Sequence, residues 1–86
     1  MEREEFAARV QDIREQLYRT AYGYLGTAHA SLEAVDEAVY QGFRARKKIR
    51  QPEFFTTWMT RILIHVCYRE LKRRTRQQEV LVEEMR

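Results

Sequence analysis

Five basic residues recur along the last third of the chain at the spacing of one helical face: Arg61, His65, Arg69, Lys72 and Arg76. At 3.6 residues per turn they project within an arc of about 80°. Phe54 and Trp58 project onto the same arc, ahead of the basic series. Single-stranded nucleic acid asks for this combination, because cations follow phosphates and aromatic rings stack on unpaired bases. A plainer arrangement fits the same spacing. Phe54 and Trp58 would then pack under the segment near Arg50, with the cations only keeping the chain in solution. Trp58 suits both, with its ring in the core and one edge outside.

No catalytic constellation accompanies this face. The chain has no glycine-rich phosphate loop, no paired carboxylates beside a histidine and no activated nucleophile. It does not read as an enzyme, and no cofactor is expected. His65 on a cationic face reads as a hydrogen-bond donor or a minor charge. His65 and Cys67 are two apart and point different ways on a helix, and only His29 could add a soft ligand, so no metal site is expected. Cys67 is the sole cysteine, which agrees with a reducing compartment, and its apolar setting reads as a small buried hydrophobe.

Charge is segregated along the chain. Net charge is +3, but residues 1–43 hold four Arg against eight acidic residues, a net −4. Residues 44–76 hold eleven Lys or Arg against Glu53 and Glu70, a net +9, and residues 77–86 carry −2. Two surfaces for two partners follow, the basic one suited to a phosphate backbone.

The elements that must position these residues are helices. Eighty-six residues with one Pro and three Gly favour a single all-α domain over a turn-rich β fold. A first helix carries the stripe Phe6, Val10, Ile13, Leu17, Ala21 and Tyr24, widened by Tyr18 and Tyr22. Gly26 offers it a left-handed stop, and Thr27 or Ser31 suits the cap of the next helix. That second helix has Leu32, Val35, Val39 and Phe43 inward. Its outer face runs from Glu33, Asp36 and Glu37 to Arg44, Arg46, Lys47 and Lys48. This order suits the helix dipole, so it has a purely structural explanation as well. Pro52 opens a third helix, expected to end near Arg76, with Phe55, Met59, Ile62, Leu63 and Val66 inward and Cys67 and Leu71 at the margin. The expected fold is a compact three-helix bundle over residues 1–76 with short connections. Residues 77–86 form a polar C-terminal tail, either a frayed extension or the start of an interdomain linker. No apolar run reaches the roughly 18 residues of a membrane span, and the N-terminus is charged where a secretory signal is apolar. A cytoplasmic protein is expected.

The segment Leu17–Arg74 resembles the second conserved region of extracytoplasmic-function sigma factors. The resemblance rests on Leu17-Tyr18-Arg19-Thr20-Ala21-Tyr22-Gly23-Tyr24-Leu25-Gly26, on Glu33-Ala34-Val35-Asp36-Glu37-Ala38-Val39 and on Phe43-Arg44. It rests most specifically on Phe55-Thr56-Thr57-Trp58-Met59-Thr60-Arg61-Ile62, followed by Leu71-Lys72-Arg73-Arg74. It implies a promoter-melting domain. Glu33, Asp36 and Glu37, joined by Arg44, would dock on the coiled coil of the largest RNA polymerase subunit. Lys48, Ile49, Arg50, Phe54 and Trp58 would surround a flipped base of the single-stranded minus-ten promoter element. Arg61, His65, Arg69, Lys72 and Arg73 would follow the strand. An anti-sigma factor is an implied further partner, and a monomer is expected when the domain is isolated. The family usually has Asn at His65, often Asp at Arg69 and Gln at Asp36, so the promoter sequence read is left open. A helical protein-interaction module without direct DNA binding is the alternative. A helix-turn-helix duplex reader fits less well, because aromatics crowd the start of the candidate reading helix.

Overall fold

Three punctuation points divide the chain into helices. In the computed structural model, which describes residues 1–85, they are α1 (Arg3–Leu25), α2 (Ala28–Arg44) and α3 (Phe55–Glu84). Gly26 ends α1 in the left-handed region at φ 77°, and its N–H donates to the Tyr22 carbonyl at 2.9 Å. Thr27 then caps α2, its Oγ1 accepting from the Ala30 N–H at 3.3 Å. Ser31, the other capping candidate, lies one turn inside, buried, with its hydroxyl donating to the Thr27 carbonyl. Between α2 and α3 the chain forms two short 3₁₀ turns, Arg46–Lys48 and Pro52–Phe54, separated by extended backbone. Pro52 opens the second turn, and the α-helix proper begins three residues later than the proline alone suggests.

The three helices pack pairwise around one core built of Phe6, Val10, Leu17, Ala21, Leu25, Val35, Ala38, Phe55, Met59, Leu63, Val66 and Cys67. This is the three-helix bundle expected of the hydrophobic periodicity. Several margins differ from expectation. Leu32 points outward with 51% of its surface exposed, and the inner face of α2 consists of small residues, Ser31, Ala34, Ala38 and Gly42, around Val35. Small residues bring α2 close to α3. A Cβ at Gly42 would lie 2.5 Å from the Met59 sulfur and 3.3 Å from Phe6. On α1 the terminal buried place belongs to Leu25, and Tyr24 reaches the surface. Cys67 is fully enclosed instead of marginal, and burial pushes its thiol pKa up.

The third helix also ends later than expected, at Glu84 and not near Arg76. Nothing after Pro52 breaks it, since the chain has no further Pro or Gly. Its thirty residues span about 45 Å, while its last buried residue is Cys67. The C-terminal turns, including Val80, Leu81 and Val82, therefore project beyond the bundle with their apolar side chains exposed. The long dimension is 54 Å against 22 and 16 Å across. Among the described residues, no helix is long and apolar enough to cross a membrane.

Candidate nucleic-acid interface

The segment joining α2 to α3 is short, polar and held from three sides. Arg46 lays its guanidinium over the Phe43 ring, 4.1 Å from the centroid, and donates to the Phe43 carbonyl at 3.0 Å. The terminal amine of Met1 donates to the Arg46 carbonyl at 3.3 Å. From α1, Arg9 donates to the Pro52 carbonyl at 3.2 Å, while Glu5 steadies its other edge at 3.1 Å. Beneath lies an aromatic cluster, with Phe6 edge-on to both Phe43 and Phe55 and Phe55 beside Trp58. The start of α1 thus builds the floor under the loop.

On this floor Lys48 and Arg50 are exposed, Ile49 is half-buried against the core, and Phe54 stands out at 57% exposure. Trp58 is intermediate, packed on the core yet not enclosed. Both aromatic residues therefore border solvent at the head of the basic face. Phe54 closes the 3₁₀ turn and caps α3, so the proline turn sets its direction and not the helical projection.

Down α3, Arg61, His65, Lys72 and Arg76 are exposed, and among the described residues none of them enters an ion pair. Arg69 and Arg73 part from this company. They line a groove of about 350 Å³ opposite Glu33 and Glu37 of α2, floored by Leu25, Ala34 and Val66. Arg73 grips Glu70 through two bonds of 2.7 and 2.9 Å. That hydrogen bonding holds the Glu70 carboxyl below the usual carboxylate range, and the same contact raises the Arg73 pKa. Arg74 donates to Glu70 at 3.2 Å and to the Leu25 carbonyl at 3.1 Å, which ties α3 to the C-terminal end of α1.

One exposed aromatic beside the basic arc escaped the sequence reading. Tyr68 lies 53% exposed between His65 and Lys72, edge-to-face with Tyr24 of α1 at 5.7 Å. Partial desolvation, then the neighbouring Tyr68, push the Tyr24 phenol pKa up. In helical projection Tyr68 lies about 20° outside the arc that groups Trp58 with the cations, so that arc alone did not single it out.

The outward face of α2 carries the acidic set. Asp36 accepts from Arg14 of α1 at 2.8 Å, Glu33 meets His29 at 3.0 Å, and Glu37 accepts from Gln41 at 2.9 Å. Arg44 stacks over Tyr40, 5.8 Å from its centroid, and Tyr40 is 57% exposed in the middle of this face. Tyr40 and Leu32 give the face an apolar content that the charge pattern did not disclose.

The helices thus present an acidic face on α2 and a cationic face on α3 edged by aromatics, and the two meet at the groove that Glu33 and Glu37 share with Arg69 and Arg73. The sigma-70 region 2 family model matches residues 10–77, and the chain belongs to that family. Membership gives it a sigma-factor role in transcription initiation, with RNA polymerase core and promoter DNA as the interacting partners of this region. Region 2 is a regulatory transcription domain and not an enzyme family. No curated protein and no solved structure matches the chain.

Proposed function

We propose that this chain is the promoter-melting domain of an extracytoplasmic-function sigma factor. In this reading the outward face of α2, with Glu33, Asp36, Glu37 and Arg44, docks on the coiled coil of the largest polymerase subunit. The segment Lys48–Arg50 with Phe54 and Trp58 receives a flipped base of the minus-ten element. Arg61, His65 and Lys72 follow the sugar-phosphate backbone of the same unpaired strand. Arg69 and Arg73 belong to the strand path as well, at its border with the acidic groove, where Arg73 must share itself with Glu70. Residues 1–76 form the functional domain, and residues 77–86 are its C-terminal tail or the start of an interdomain linker. The domain acts as a monomer, and an anti-sigma factor would silence it by covering the same faces.

One observation carries the reading. Phe54 and Trp58 border solvent at the head of a row in which Arg61, Lys72 and Arg76 enter no ion pair among the described residues. Unpartnered cations release counterions when phosphates replace them, and ring faces beside them add stacking that duplex DNA cannot supply. The test is a fluorescence anisotropy titration of the full chain with a single-stranded oligonucleotide and its duplex, at low and moderate salt. Tighter binding of the single strand, weakening steeply with salt, is expected. Absence of binding at low salt and high protein concentration, with polymerase capture intact, would leave the chain as a protein-interaction module.

A further inference from the structure

We propose that Tyr68, braced by Tyr24, is a second base-stacking position on the cationic face of α3. It would take an unpaired nucleobase several nucleotides away from the one at Trp58. The inference rests on the single-strand reading given above and adds a site to it.

Four observations converge on Tyr68. It is a large aromatic residue with more than half of its surface in solvent, where burial does not account for it. It projects about 20° outside the edge of the basic arc, beside Arg61, with His65 one turn before it and Lys72 one turn after. Both are exposed, and among the described residues Lys72 has no ion pair, so a strand laid along α3 would have phosphate partners on either side of the ring. Finally, Tyr24 meets it edge-to-face at 5.7 Å and an interplanar angle of 75°. That contact limits the rotamers open to Tyr68, so stacking costs less side-chain entropy than it would for a free ring.

The spacing suits a strand. Ten residues separate Trp58 from Tyr68, about 15 Å along the helix. At the roughly 3.4 Å per nucleotide of stacked DNA this spans about four nucleotides, and fewer where the strand is pulled straight. Two platforms at that distance would grip a short unpaired tract at both ends and leave the bases between them free of ring contacts. Stacking is tolerant of base identity, so the Tyr68 position contributes affinity and register more than sequence choice.

Photocrosslinking tests this directly. Single-stranded oligonucleotides substituted with 5-iododeoxyuridine at successive positions are irradiated with the full chain, and the adducts are located by mass spectrometry. Adducts are expected at Trp58 or Phe54 and, for substitutions a few nucleotides away, at Tyr68. Affinities are measured in parallel. Tyr68→Ala should weaken single-strand binding about five- to 150-fold, the range that loss of one stacked base gives, and Tyr68→Phe should retain most of it. Tyr68→Leu keeps apolar bulk against Tyr24 and should bind like the alanine variant, which separates stacking from packing. Adducts at Trp58 with none at Tyr68, together with unchanged affinity for folded Tyr68→Ala and Tyr68→Leu, would overturn this site alone. Failure of the unaltered chain to bind any single strand would overturn the reading beneath it.

Discussion

On α2 each carboxylate of the outward face already has a partner within the chain: Glu33 has His29, Asp36 has Arg14 and Glu37 has Gln41. On α3 the exposed Arg61, Lys72 and Arg76 have no ion pair among the described residues. Exposed pairs of the first kind are worth about 0–1 kcal/mol each, so they orient the carboxylates without committing them. A partner that brings its own cations can displace them at small cost. The α3 cations are solvated and pre-spaced, and what they gain on binding comes from released counterions. A protein partner meets a face whose geometry is preset, and a nucleic acid meets one whose charge is free.

The sharpest way to break this contrast is to reverse one acidic charge. Glu37→Lys should abolish capture of the polymerase coiled coil in a pull-down without weakening single-strand binding. Glu37 lies on α2 away from the loop and Trp58, and a cation there only adds to the charge of the groove it shares with Arg69 and Arg73. Retained capture would remove Glu37 from the docking face. Loss of both activities together would mean that the two faces are one surface.

Trp58 comes next in size. Replacing it by Ala should weaken single-strand binding by about 1–3 kcal/mol if its ring stacks on a base, as read by anisotropy at constant salt. Trp58 also packs on the core, so folding must be checked by circular dichroism. An equally folded variant with unchanged affinity would place the ring in a structural role only.

How far these residues could be read in advance follows from the kind of signal each gives. The helices and most of the core were legible, because Phe6, Val10 and Leu17, or Met59, Leu63 and Val66, recur at helical spacing and little competes with that pattern. Leu32 was misplaced because hydrophobicity alone ranks it above Ser31 and Gly42. What decides the α2–α3 contact is how closely the backbones approach, and small residues win there. The loop's anchoring by Arg9 and Arg46 was invisible, since nothing in a sequence tells an arginine that reaches a distant carbonyl from one that faces water. The cationic face was legible as a set, but its division was not: Arg69 and Arg73 line the groove opposite Glu33 and Glu37, residues more than thirty positions earlier.

That division sets a smaller expectation. Arg61→Gln and Lys72→Gln should each lower the slope of log affinity against log salt by about 0.7, the value for one phosphate contact on a single strand. Arg73→Gln should lower it less, because Arg73 is already neutralised in part by Glu70. Equal slopes for all three variants would show that the Glu70 pair opens fully on binding.

The smallest effect concerns the carboxylate at that border. Glu70 accepts from Arg73 and Arg74, and Arg74 reaches on to the Leu25 carbonyl, where α1 has no basic residue in its last turn. A cation there suits the negative end of the α1 dipole. Because the bond from Arg73 lowers the folded-state pKa of Glu70, its contribution is complete above the ordinary carboxylate range and fades as pH falls through that lowered value. The difference in thermal midpoint between the parent chain and Glu70→Gln should therefore be constant near neutrality and shrink in acid. It should correspond to no more than about 1 kcal/mol, as for other solvent-accessible pairs. A gap that stayed constant into strong acid would assign the effect to side-chain shape instead of charge. The tie between the end of α1 and the cationic helix would then be one of packing.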